Sequence, residues 1–180
     1  MRTLFETDIK NYAPGGSVFS RPSARGIIVK AGRAAMVYSR KYDYYQFPGG
    51  GMTAGESRED ALIREVLEET GLSVIRNSIR EYGHVRLIQK GRKEDIFIQD
   101  NFYFLCDVKE DKALQNLDEY EADEGFTLRF PDPWSAIAVN RRNITDAFHQ
   151  AISEREAQVL ELLIQEGYLD SSEIPSDIKQ

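Results

Sequence analysis

The chain has 180 residues, about the length of one domain, and its 41% hydrophobic and 29% charged residues are typical of a globular protein. This composition excludes a disordered or collagen-like chain, and no apolar run approaches the roughly 20 residues that span a bilayer. The net charge of −7 disfavours non-specific binding to DNA or to an anionic membrane surface. The single cysteine, Cys106, excludes an internal disulfide. We therefore expect a cytoplasmic protein that binds neither DNA nor membranes.

The first part of the chain favours short strands. Residues 24–30 and 34–39 are rich in β-branched and apolar side chains and flank Gly32-Arg33, which predicts a β-hairpin. Residues 44–47 predict a short aromatic strand that ends close to three consecutive glycines at 49–51. Because glycine has no side chain, the backbone of residues 49–51 can lie close to the segment that follows it.

The clearest helix lies directly after the glycines. Ser57, with Asp60 three residues later, forms a capping box, and Gly71 supplies a stop at the other end. The rest of the chain predicts strands at 78–89, 95–108 and 126–130, an acidic irregular stretch at 109–125, a second helix at 145–167 and a frayed polar tail at 170–180. This order predicts a single α+β domain over residues 1–180.

Three carboxylates converge on one side of the first helix. At about 100° per residue, Glu68 and Glu69 fall within about 60° and 40° of Glu65, on either side, while the apolar residues occupy a nearly opposite arc. Like charges three and four residues apart repel on a bare helix, and the helix dipole disfavours anions towards its C-terminal end.

Two interpretations explain this acidic strip. One is a solvated surface, partly neutralised by pairing of Arg64 with Glu68. The other is a site for a hard divalent cation such as Mg²⁺, which takes carboxylate oxygens and completes its shell with substrate phosphates. The glycines at 49–51 favour the second interpretation, because their backbone carbonyls could approach the same cation.

The same segment carries a longer pattern. Its nine specified positions follow G-x5-E-x7-R-E-U-x-E-E-x-G-U, where U is a bulky aliphatic residue, and they are occupied by Gly50, Glu56, Arg64, Glu65, Val66, Glu68, Glu69, Gly71 and Leu72. This is the Nudix box without a gap or substitution, and the chain resembles a Nudix hydrolase. The resemblance implies the Nudix fold, an α/β/α sandwich around a mixed β-sheet.

The resemblance also implies roles for residues in and beside the box. Glu65, Glu68 and Glu69, with the carbonyl of Gly49, would hold Mg²⁺ or Mn²⁺, and Glu65 is the first choice for the base that activates water. Arg64 and Glu56 would pair with each other and hold the loop and helix in register. The implied reaction is metal-dependent hydrolysis of a diphosphate linkage in a nucleoside di- or triphosphate or a nucleoside-diphosphate-linked compound.

Outside the box, three residues are candidates for the same site. Tyr44 could stack on a base, although core packing explains most strand aromatics. Arg25 could contact phosphate, although plain surface charge is the more common role of such a residue. Many family members supply a further Glu from a downstream loop, and we predict Glu124 in that role, with Glu121 as the second choice.

The sequence leaves the substrate open. Many ADP-ribose pyrophosphatases have a proline where this chain has Leu87. Many dinucleoside-polyphosphate hydrolases have a tyrosine near the positions that Ile88 and Gln89 occupy here, so both markers are missing. The alternative function is a non-catalytic Nudix-fold nucleotide sensor or binding module, which usually shows a damaged box. RNA decapping is a weaker alternative, because no basic patch with interleaved aromatic residues is evident. A homodimer is compatible with the sequence.

Overall fold

The computed structural model describes residues 1–142 and 147–170. The strands are β1 Thr3–Asp8, β2 Val18–Ser20, β3 Ser23–Ile27, β4 Val29–Lys30, β5 Arg33–Ala34, β6 Met36–Ser39, β7 Tyr44–Gln46, β8 Gly49–Gly51, β9 Leu72–Val74, β10 Arg80–Lys90, β11 Ile96–Leu105, β12 Val108–Lys112 and β13 Thr127–Arg129. The α-helices are α1 Arg58–Thr70, α2 Glu119–Glu124, α3 Pro133–Asn140 and α4 Ala147–Gln165. Among the described residues, no helix has the length and apolar character needed to cross a membrane.

The backbone contacts divide the described chain into two compact units. The first unit contains residues 1–26, 49–67 and 72–113, and the second contains residues 27–48, 68–71 and the described residues from 114 onwards. Helix α1 belongs to the first unit up to Leu67 and to the second from Glu68. The expectation that residues 1–180 form one domain stays a prediction.

The first unit is built on a mixed sheet in the order β1-β10-β11-β3-β8, and β2 also pairs with β11. Strands β10 and β11 are antiparallel and long, whereas β1 runs parallel to β10 and β2 parallel to β11. Alternation along the two long strands buries Val85, Leu87 and Tyr103. A mixed sheet together with several helices confirms the α+β class.

The second unit contains the sheet β13-β6-β7, against which α3 and α4 pack through β7. Its core includes Phe47, Ile137, Leu160 and Leu163, each no more than 2% exposed. The side chain of Asn140 binds the edge of β7, accepting from the amide of Tyr45 at 2.7 Å and donating to its carbonyl at 2.8 Å. A buried amide satisfied in this way fixes α3 against the strand.

The hairpin predicted over residues 24–30 and 34–39 is much shorter than expected. Only β4 and β5 pair across the turn, while β3 pairs with β8 and β6 pairs with β7. The prediction was wrong about the partners because β-branched composition indicates a strand without specifying what it pairs with.

The second half of the chain also differs from the sequence-based prediction. The stretch 109–125, predicted to be irregular, contains most of β12 and all of α2, and the predicted strand 126–130 is reduced to β13. Helix α3 was missed, although Pro133 stands in its first turn and the Asp132 carboxylate accepts from the amide of Ser135 at 2.8 Å. The predicted start of the second helix at 145 and the tail from 171 lie outside the described residues.

Candidate metal and active site

Helix α1 begins and ends where its capping residues predict. The amide of Asp60 donates to the hydroxyl of Ser57 at 3.1 Å, and that hydroxyl lies 2.6 Å from an oxygen of the Asp60 carboxylate. Gly71, directly after the helix, has a φ of +73°, a left-handed conformation that glycine adopts readily. Leu62 and Val66 are fully buried, so one face of the helix is fixed in the core.

The predicted carboxylates lie on a strip that borders this buried face. Glu65 and Glu69 stand on successive turns, are only 8% and 2% exposed, and offer oxygen atoms within 4.8 Å of each other. Glu68 is half-buried, and its backbone carbonyl accepts from the amide of Asn116 at 2.9 Å. Two buried acids at this spacing repel each other strongly unless a cation or a proton lies near them.

Within the second unit, Glu121 adds another carboxylate beside Glu69. Glu121 is 3% exposed and offers an oxygen within 4.8 Å of one from Glu69. It is the third residue of α2, where one carboxylate oxygen accepts from the amide of Asp118 at 2.8 Å and the other from the hydroxyl of Tyr120 at 2.8 Å. The capping-box spacing of Asp118 and Glu121 is the sequence signal for this orientation.

Glu124, the first choice from the sequence for a ligand outside the box, has different neighbours. Its carboxylate accepts from the hydroxyl of Ser39 at 3.0 Å and lies 3.8 Å from the Nε2 atom of His149. These contacts tie the end of α2 to β6 and α4. Glu124 as a metal ligand stays a prediction, and among the described acids of α2 it is Glu121 that lies beside Glu69.

Arg64 and Glu56 form a two-pronged ion pair. The Nε atom of Arg64 donates to Oε1 of Glu56 at 2.9 Å, and its Nη2 atom donates to Oε2 at 2.9 Å. The hydrogen bonds from Arg64, with further ones from Thr53, lower the pKa of Glu56 from 4.5 to about 2, and the pair raises the pKa of Arg64. Arg64 also donates to Glu65 Oε1 at 2.7 Å and to the carbonyl of Gly51 at 3.2 Å. It therefore joins the glycine strand to the acidic strip of the helix.

A close approach of the backbone requires glycine at position 49, and Gly50 lies against the carboxylate of Glu65. Gly49 has a φ of +140°, and a Cβ there would overlap the carbonyl of Ala24. A Cβ on Gly50 would overlap the carboxylate of Glu65. The backbone of β8 therefore lies directly against the first carboxylate of the strip, which a side chain at Gly50 would displace.

The two predicted substrate contacts, Arg25 and Tyr44, are both buried. Arg25 is 6% exposed and donates through Nη1 to the carbonyl of Gly49 at 3.0 Å. Tyr44 is 3% exposed, and its ring lies 5.9 Å, centroid to centroid, from that of His149. Contact of either side chain with substrate stays a prediction.

The donor set suits a hard divalent cation. Carboxylate oxygens are the ligands that Mg²⁺ and Mn²⁺ take in proteins, and Glu69 and Glu121 of the second unit offer such oxygens close to each other. Their burial lowers the local dielectric, which strengthens both the repulsion among them and their attraction for a cation.

The chain is similar to a known protein family in sequence and to a solved structure in fold. A family model described as NUDIX domain matches residues 20–148. RNA pyrophosphohydrolases of Edwardsiella ictaluri and Pasteurella multocida are each 26% identical, covering 79% and 88% of this chain and 85% and 84% of their own lengths. A solved structure described as a NUDIX hydrolase from Nitrosomonas europaea is 20% identical, with a TM-score of 0.53, and covers 77% of this chain and 90% of that one.

Proposed function

The chain belongs to the Nudix family of pyrophosphohydrolases, and we propose that it hydrolyses a diphosphate linkage in a nucleotide-type substrate with Mg²⁺ or Mn²⁺ held by the acidic strip of α1. Family membership confirms the resemblance drawn from the box at Gly50 to Leu72, and the structural neighbour confirms the Nudix fold. Members of the family act on nucleotide-type substrates and generally use divalent metals.

The observation that carries the proposal is the pair of buried carboxylates Glu65 and Glu69, within 4.8 Å of each other on successive helical turns. Glu68 and the carbonyl of Gly49 complete the proposed ligand set. Glu121 is our choice for the ligand outside the box, because its carboxylate lies beside that of Glu69. A bound divalent ion neutralises phosphate oxygens and lowers the pKa of a water molecule.

The other residues of the box serve this set by fixing its geometry. Arg64 holds one oxygen of Glu65, and Glu56 fixes the orientation of the Arg64 guanidinium through its two hydrogen bonds. Glu65 is the proposed general base, since a carboxylate whose position is set by a neighbouring guanidinium can accept a proton in a defined direction.

The substrate is proposed at the level of its chemical class. The net charge of −7 repels a polyphosphate. Divalent cations held by the acidic strip of α1 would allow the protein to bind one. The relatives named RNA pyrophosphohydrolases make RNA with a 5′-triphosphate one substrate to include in a screen, beside nucleoside triphosphates, dinucleoside polyphosphates and nucleotide sugars.

The experiment is a hydrolysis screen of these four substrate classes, scored for released phosphate, diphosphate or nucleoside monophosphate. We expect Mg²⁺-dependent turnover of at least one class and its loss when EDTA is added. If every substrate stays intact while a nucleotide binds tightly, the chain is a nucleotide sensor that keeps the fold without catalysis.

A further inference from the structure

A line of buried polar side chains runs across the first unit and ends at the glycine strand. The amide of Gln99 donates to the hydroxyl of Ser23 at 3.0 Å, and the amide of Asn101 donates to the carbonyl of Gln99 at 3.3 Å. Asn101 then accepts from Nε of Arg25 at 3.4 Å, and Nη1 of Arg25 donates to the carbonyl of Gly49 at 3.0 Å. All four side chains are no more than 8% exposed.

Burial of a guanidinium in a sheet needs a reason, because removing a charge from water is costly unless it is well hydrogen-bonded. Arg25 stands directly opposite Gly49 in the antiparallel pairing of β3 and β8. Its backbone and its side chain therefore both hold the same residue of the glycine strand. Asn101, which is fully buried, accepts from the Nε–H group of the same guanidinium.

The position of this strand determines the room available to Glu65. Gly50 follows Gly49 directly, and its Cα lies so close to the Glu65 carboxylate that a Cβ would overlap it. A small shift of the peptide at Gly49 would therefore change both a proposed ligand carbonyl and the space for a proposed ligand carboxylate.

We propose that Arg25 is a positioning residue, oriented by Asn101, that fixes the glycine strand against Glu65, and that it does not bind substrate phosphate. The inference rests on the proposed function, because it assumes that Glu65 belongs to a divalent-cation site. It assigns Arg25 an effect on metal binding in the absence of any nucleotide.

The test measures Mn²⁺ affinity without nucleotide, by electron paramagnetic resonance of the free ion, for the wild-type protein and Arg25→Gln. Loss of a positive charge near a cation site should by itself strengthen Mn²⁺ binding. We expect the opposite: about 10-fold weaker binding, typical of losing a group that orients a ligand, with a lower kcat and an unchanged KM.

Matched variants separate this effect from charge and from folding. Arg86→Gln removes the same charge from an ion pair with Asp100 in the same sheet and should leave Mn²⁺ affinity and kcat unchanged. Asn101→Leu keeps Arg25 but removes the acceptor of its Nε–H group, and should also weaken Mn²⁺ binding. Should Arg25→Gln fail to fold, as a thermal melt would show, Asn101→Leu and Arg25→Lys decide the question.

Two outcomes are distinguishable from each other. If the wild-type protein binds Mn²⁺ and Arg25→Gln binds it equally or more tightly, the inference is overturned, and a KM that also rises identifies Arg25 as a substrate contact. If the wild-type protein binds no Mn²⁺ without nucleotide, the positioning inference is overturned, whereas the proposed function fails only if the hydrolysis screen also shows no metal-dependent turnover.

Discussion

Arg64 contacts three separate parts of the chain. It is bound to Glu56 at two points, to Glu65 at a third and to the carbonyl of Gly51 at a fourth. A planar guanidinium can satisfy several acceptors in fixed directions, which the flexible ammonium of lysine cannot do. One rigid guanidinium thus binds the loop at Glu56, the helix at Glu65 and the glycine strand at Gly51. Lysine could not replace arginine here without losing some of these hydrogen bonds.

The pair of Glu56 with Arg64 predicts a definite pH dependence. Since the pKa of Glu56 is lowered from 4.5 to about 2, its contribution to the free energy of unfolding is complete above pH 4.5 and is lost as the pH falls towards 2. We expect wild-type protein to exceed Glu56→Gln in urea-unfolding free energy at pH 6, with the difference shrinking across that window. A difference that stays constant from pH 6 to pH 2 would contradict this account of the pair.

Helix α1 carries a buried apolar face and, beside it, the strip of proposed metal ligands. Leu62 and Val66 anchor the helix in the core, and a four-residue spacing places Glu65 and Glu69 on the same face of it. In helix α2 the acid is oriented by a capping box. The backbone amide of Asp118 binds the carboxylate of Glu121 and turns it towards the N-terminus of that helix.

The two acids of α2 provide a test of which one serves the metal. Glu121→Gln keeps an acceptor for the amide of Asp118 but removes the charge beside Glu69, so we expect the protein to fold and its kcat to fall by about 10-fold or more. Glu124→Gln keeps a partner for Ser39 and should reduce kcat far less. Glu119→Gln, on the exposed surface of the same helix, is the control.

Steady-state kcat at saturating Mg²⁺ measures this difference. A larger loss in Glu124→Gln than in Glu121→Gln would restore the first choice made from the sequence. Equal and small effects in all three variants would show that the box alone carries the chemistry.

At the scale of the whole molecule, much of the site follows from local sequence and some of it does not. The box fixes the spacing of Glu65, Glu68 and Glu69 on a helix, and Ser57 and Gly71 fix where that helix begins and ends, so helix and acids were predictable. The sheet partners of residues 24–30 were not, because strand composition carries no information about which strand lies alongside.

The burial of Arg25 could not be predicted either, because it too depends on which strands pair. Surface charge and phosphate contact were the two interpretations that its sequence neighbours allowed, and neither includes a buried guanidinium on the carbonyl of Gly49. That contact depends on β3 pairing with β8, a pairing between residues 24 positions apart. Only the tertiary arrangement brings the two together.

We propose that the carboxylates on α1 hold the divalent cation that supports hydrolysis. The most direct test of this proposal is kcat with saturating Mg²⁺, on whichever substrate the screen identifies, for Glu65→Gln, Glu68→Gln and Glu69→Gln beside Glu59→Gln, an exposed acid in the first turn of the same helix. A carboxamide cannot neutralise a divalent ion, so the account predicts losses of more than about 100-fold in the three variants, with melting temperatures retained and Glu59→Gln unaffected. Near-wild-type turnover in Glu65→Gln, Glu68→Gln and Glu69→Gln would contradict it.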